Sequence, residues 1–232
     1  MNDILAAASV IRVRQNPVLE AFRGESAALS QAVSKVSDAE WARATRCEPW
    51  TVRELLAHVT VVIDWLPLML DGPAPDSPDV TATQYYRPDT RFSPQSNATR
   101  IDLARAHAAD HAGPAAAFTE TWQRAYRLCR EEPRDRVVRT RHGDAMLLTE
   151  FLVTRVVEVA IHGLDIADAL GHEPWLTAEA ETVVLSLLIG GRETGLGWDG
   201  STALRKLSGR ATLTVAERGH LDQVGVNWIT LG

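Results

Sequence analysis

The sequence predicts a mainly α protein, an up-down four-helix bundle followed by a small C-terminal α+β element. Three observations carry this. Apolar residues recur with the helical period through the first three quarters of the chain, in four main segments. Long connections separate those segments, which suits a bundle. The tail then changes to an alternating pattern. The division expected is a bundle over 1–172 and the smaller element over 173–232. With 232 residues, 45% apolar and 23% charged, the chain is long enough to bury a core without disulfides and too apolar for wholesale disorder.

Val18, Phe22, Ala28, Leu29, Val33 and Val36 mark the first amphipathic helix. Ser37-Asp38-Ala39-Glu40 is a capping box that opens a short helix with Trp41. Thr51 is the N-cap of the next helix, with Glu54 three residues on and Trp50 and Leu55 as a hydrophobic staple. That helix runs through His58 to about Trp65, where Pro67 kinks or ends it. Residues 71–97 are rich in Pro, Asp, Ser and Thr and read as a long loop of the lid or binding type, or a mobile one; Tyr85-Tyr86 sits inside it. A third helix spans 99–131, kinked or divided at Gly113-Pro114. Residues 136–141 read as a short strand closed by His142-Gly143-Asp144. A fourth helix covers 147–170 and ends at Gly171 as its left-handed cap. Thr177 opens a fifth helix that stops at Gly190-Gly191. The Gly-rich stretch 195–200 follows no strand, so it lacks the setting of a phosphate loop. Residues 211–215 and 224–231 read as two strands of a hairpin.

A net charge of −6 gives no general attraction to nucleic acid or anionic membranes, so neither is expected as a partner. Two cysteines, Cys47 and Cys129, make no disulfide framework and fit a cytoplasmic protein. Both read as buried apolar residues. The apolar runs 4–11 and 183–189 are too short to span a bilayer, and the first has acid before it and arginines after it, the reverse of a secretion signal. Only two of the 24 basic residues are lysines, a usage typical of a GC-rich bacterial genome. A monomer or homodimer is expected.

The fourth helix carries the chemistry. Glu158 and His162 are four residues apart and share a face, and Arg155 and Asp165 extend the stripe by three residues on either side. The neighbours Val156, Val157, Val159, Ala160 and Ile161 are apolar, so the stripe needs partners. A hydrogen-bonded surface pair and a pair of metal ligands both fit this spacing. A catalytic zinc site needs a third protein ligand, and His58, in the apolar stretch Leu55, Leu56, Val59 and Val62, is the best candidate. It also fits the role of a satisfied core histidine.

The segment Cys47-Glu48-Pro49-Trp50-Thr51-Val52-Arg53-Glu54-Leu55-Leu56-Ala57-His58 resembles the WT(V)R-(D/E)-L-x-x-H element of the mycothiol-dependent maleylpyruvate isomerase family. Residues 155–170 resemble its second element, R-x-x-E-x-x-x-H-x-x-D-(I/L)-A-x-A-L. The resemblance covers roughly residues 10–172 and implies a DinB-like metal-binding bundle in which His58, Glu158 and His162 hold one divalent ion, usually zinc. It implies mycothiol as cosubstrate, because neither cysteine is placed as the nucleophile.

On that resemblance a metal-bound thiolate adds to a small electrophilic carboxylate substrate, which is isomerised or conjugated. Arg155 is the first candidate to meet the carboxylate or the developing enolate, unless it is only an ion-pair partner of Glu158 or Asp165. Asp165 either orients His162 or bonds backbone near Gly163. Arg210 and Arg218 are weaker candidates to close the site, and Glu54 is explained by its cap. The alternatives are a thiol-independent metal hydrolase using bound water, or a non-catalytic DinB-like metal-binding module.

Overall fold

A computed structural model gives the fold of residues 16–229; the apolar run 4–11 lies outside these described residues. Helix α1 (Pro17–Val33) starts at Asn16, whose side chain accepts the amides of Val18 and Leu19, and places Pro17 where no amide is needed. The Ser37–Glu40 box opens α2 (Asp38–Trp41). Thr51 caps α3 (Val52–Asp71): its hydroxyl accepts the Glu54 amide while the Glu54 carboxylate accepts the Thr51 amide at 2.8 Å. The helix does not stop at Pro67. Leu66 and Met69 remain in the core, and Arg136 donates to the carbonyls of Leu70 and Gly72 at its exposed end.

The long loop holds structure of its own: α4 (Ala82–Tyr85) and one 3-10 turn, Thr90–Phe92. Tyr86 from this segment donates to the Thr154 carbonyl at 3.1 Å. The expected third helix is divided into α5 (Pro94–Asp110) and α6 (Pro114–Glu131), with Pro114 in the first turn of the new helix. Strand β1 (Val137–Arg139) pairs antiparallel with β2 (Ala145–Leu147), which leads straight into α7 (Leu148–Leu170). Gly171 ends α7 at φ 69°, as the left-handed cap requires. Then follow α8 (Ala178–Ile189), α9 (Gly200–Leu207) and α10 (Val215–Val224).

Helices α1, α6, α3 and α7 pack pairwise in a closed ring, which is the four-helix bundle; α5 lies against the outside of α3. Phe22, Leu29, Leu55, Leu56, Ile63, Leu66, Phe118, Leu152 and Ile161 fill its centre. Helix α8 packs on α1 and α7, and Glu25 of α1 accepts the Thr177 amide and hydroxyl at its start.

The C-terminal hairpin expected from the sequence is overturned. Residues 215–224 are helical, capped by Thr214 and closed by Gly225 at φ 78°; the part of 224–231 that is described forms no strand. A further capping box outweighs the short apolar alternation: Thr214 receives the Glu217 amide and Glu217 the Thr214 amide. The two-stranded ribbon lies before α7 instead.

Candidate functional site

Helix α7 is buried almost all round, so its polar stripe at Arg155, Glu158, His162 and Asp165 lies inside the protein. The capped start of α3 sets the register that turns His58 toward that stripe, and Trp50 stacks on the His58 ring at 4.6 Å between centroids. His58 Nε2 lies 3.5 Å and His162 Nε2 3.3 Å from the same oxygen, Glu158 Oε2. The two imidazoles meet edge to face at 5.3 Å. One donor atom from each residue lies within 4.8 Å of both others, and all three residues are buried.

These separations suit a cation better than direct bonding. They are longer than good N–H···O hydrogen bonds. Zinc bonds of about 2.0–2.1 Å in a tetrahedral array put neighbouring donors about 3.3–3.5 Å apart. Two imidazole nitrogens and one carboxylate are also a donor set that open catalytic sites use. The three residues therefore fit a divalent metal.

Asp165 lies behind His162. Its carboxylate is 3.0 Å from His162 Nδ1 and also accepts from Arg210 at 3.1 Å and from the Cys47 thiol at 3.2 Å. With Nδ1 engaged by Asp165, Nε2 is the ring nitrogen that faces Glu158. Of the two contacts open for Asp165 in the sequence, the structure has the one to His162. Arg155 does not pair with Asp165. It donates to the Val62 carbonyl at 2.6 Å and to the Thr154 hydroxyl, lies over the Phe151 ring, and faces Glu158 at 3.9 Å. Arg218 lies over Trp228 instead of at the site.

Burial pushes the His58 pKa down to about 4, so this ring is neutral at physiological pH. Burial also acts to lower that of His162, but Asp165, Cys47 and Glu158 together hold it well above its ordinary value. For Glu158, burial is outweighed by the two imidazoles and Arg155, and its pKa lies well below the usual range. The arrangement attracts positive charge between Glu158 and His162, as a proton or as a metal ion.

Cys47 was read from sequence as a plain buried residue. Its sulfur lies 3.9 Å from His162 Nδ1, and with Asp165 the three form a second possible donor group. That group competes with the Asp165 bond to the same nitrogen, and Arg210 already occupies Asp165. Tyr85, Tyr86 and Arg91 of the 71–97 segment, Arg100 of α5, and Arg141 and His142 of the turn between β1 and β2 line the pocket above the cluster, and no motif singled out the arginines among them.

The family description "Mycothiol maleylpyruvate isomerase N-terminal domain" matches residues 22–167. The chain belongs to the mycothiol maleylpyruvate isomerase family. The match contains every residue of the cluster and ends at the last turn of α7. Two solved structures are similar, a mycothiol-dependent maleylpyruvate isomerase at 21% identity and TM-score 0.44, and a histidine-to-alanine mutant of such an enzyme at 19% and 0.41. Each match covers 64% of this chain and 59% of the other. No protein of curated function matches the chain. No helix among the described residues is long and apolar enough to cross a membrane.

Proposed function

We propose that this member of the maleylpyruvate isomerase family is a mycothiol-dependent metalloenzyme. It holds zinc or a similar divalent ion on His58, Glu158 and His162. Its reaction is isomerisation of a small electrophilic carboxylate substrate, or its conjugation to the thiol. The observation that carries this reading is the convergence of His58 from α3 with Glu158 and His162 from α7 around one carboxylate oxygen. When bound, a divalent cation there supplies the positive charge that turns an incoming thiol into a thiolate at neutral pH.

The chain's own residues do the rest. His58 is neutral and held flat by Trp50, so it offers a lone pair without first losing a proton. Asp165 fixes the tautomer of His162 and is itself held by Arg210. Arg155 lies beside Glu158 and keeps its carboxylate ionised. Trp65, Tyr85 and Phe151 give the pocket aromatic walls. Addition of the thiolate to the double bond of a cis unsaturated keto acid leaves a single bond free to turn. Elimination then returns the thiol and gives the trans isomer.

The test is mycothiol-dependent conversion of maleylpyruvate by untagged protein, with metal counted per chain. About one ion per chain, lost in His58→Ala and His162→Ala together with turnover, supports the reading. Turnover without thiol assigns a hydrolase instead, and a chain that retains no metal under any loading is a non-catalytic module.

A further inference from the structure

The arginines of the site pocket are not equivalent. Arg91 is paired with Asp89 at 2.8 Å and with Asp144 at 2.9 Å. Arg155 bonds the Val62 carbonyl and faces Glu158. Arg141 differs from both. It enters the pocket half-buried from the turn between β1 and β2, with its guanidinium 5.5 Å from the centre of the Trp65 ring. Among the described residues it meets neither a carboxylate within ion-pairing distance nor a hydrogen-bond acceptor. Arg100 of α5 lines the same pocket and donates only to the Asn97 side chain and the Arg91 carbonyl, again with no carboxylate. The indole N–H of Trp65, the ring under Arg141, is buried without an acceptor.

A guanidinium drawn out of water without a counter-charge is costly, and so is a buried donor without an acceptor. Burial, with Arg100 and Arg155 nearby, lowers the Arg141 pKa. One anionic, acceptor-rich group would relieve both costs. A carboxylate matches the planar fork of a guanidinium, and the aromatic lining of Trp65, Phe92 and Phe151 suits a flat carbon skeleton better than a compact hydrated phosphate.

We propose that Arg141 and Arg100, with the Trp65 indole, form a carboxylate-recognition subsite in the pocket above the His58–Glu158–His162 cluster. That this carboxylate belongs to the reacting substrate rests on the function proposed above; its binding does not.

Calorimetric titration of the full-length protein with succinate, its neutral diamide and inorganic phosphate tests the subsite. Succinate is expected to bind about tenfold or more tightly than either of the others. Arg141→Met should weaken succinate about tenfold or more and Arg100→Met by a smaller factor, while Arg218→Met, at a residue that lies over Trp228 away from the pocket, changes it less than about twofold. Should Arg141→Met not fold, Arg141→Lys keeps the charge and loses the fork, and severalfold weaker binding is expected. The proposal is overturned if succinate does not bind, if the Arg141 and Arg100 variants leave its affinity unchanged, or if phosphate binds more tightly. Failure of thiol-dependent turnover would leave these titrations untouched, so the two readings can fail separately.

Discussion

His162 meets a carboxylate at each ring nitrogen, Asp165 at Nδ1 and Glu158 at Nε2. That environment raises its pKa, so near and below neutral pH the ring carries a proton that a metal must displace. His58, down at about 4, has none to lose above about pH 5. The sign follows. Metal affinity should rise by about one log unit per pH unit above pH 5 and flatten once His162 is neutral. Competition titration with a chromophoric chelator reads this directly; an affinity independent of pH from about 5.5 to about 8 would exclude His162 as a ligand. Asp165→Asn should lower metal affinity about 10–100-fold at high pH. It should also move the flattening to lower pH, since the carboxylate that holds the proton is gone. Of these residues, His58, Glu158, His162, Arg155 and Asp165 were legible as a stripe and a capped helix. Cys47, Arg100 and Arg141 were not, because their places depend on how a loop, a helix face and a turn meet in space, and no local period encodes that.

At the scale of the elements, legibility followed the caps. Thr51-x-x-Glu54 set the start of α3, and from it the register of His58 two turns on. Gly171 set the end of α7. The same Thr-x-x-Glu pattern at Thr214 and Glu217, closed by Gly225, announces α10, and the apolar alternation around Val215 obscured it. Pro67 does not end α3, which runs on to Asp71, where Arg136 meets the carbonyls of Leu70 and Gly72. The cap also accounts for Glu54, a tempting acid outside the cluster. Its carboxylate accepts the Thr51 amide and meets Arg105 at 3.3 Å. Glu54→Ala should therefore lower unfolding free energy by about 1 kcal/mol with metal content unchanged, and Glu54→Gln should cost less because glutamine preserves the box. Chemical denaturation with metal analysis checks both. Loss of metal in Glu54→Gln would contradict a purely capping role.

Across the whole molecule, the C-terminal helices are joined to the bundle through the site. Arg210 follows α9 and grips Asp165 of α7 through Nε and Nη2, while Arg46, from the loop before α3, donates to the Arg210 carbonyl. Arg205 of α9 adds an ion pair to Asp168, one turn along α7. Asp165 is completely buried, so its charge depends on these partners and on His162. The contact that orients a candidate ligand is therefore also a contact that docks the C-terminal segment, and the two should fail together. Arg210→Met leaves a buried carboxylate without its guanidinium, a loss on the order of 3 kcal/mol. It should weaken metal binding and increase proteolysis between α8 and α10. In Arg210→Met with Asp165→Asn the buried charge is gone, so the pair should lose less stability than the two single losses added, with a coupling of about 1–3 kcal/mol. Simple additivity in a denaturation double-mutant cycle would mean that the clamp and the site are independent, and the C-terminal segment would then be attached to the bundle without supporting its chemistry.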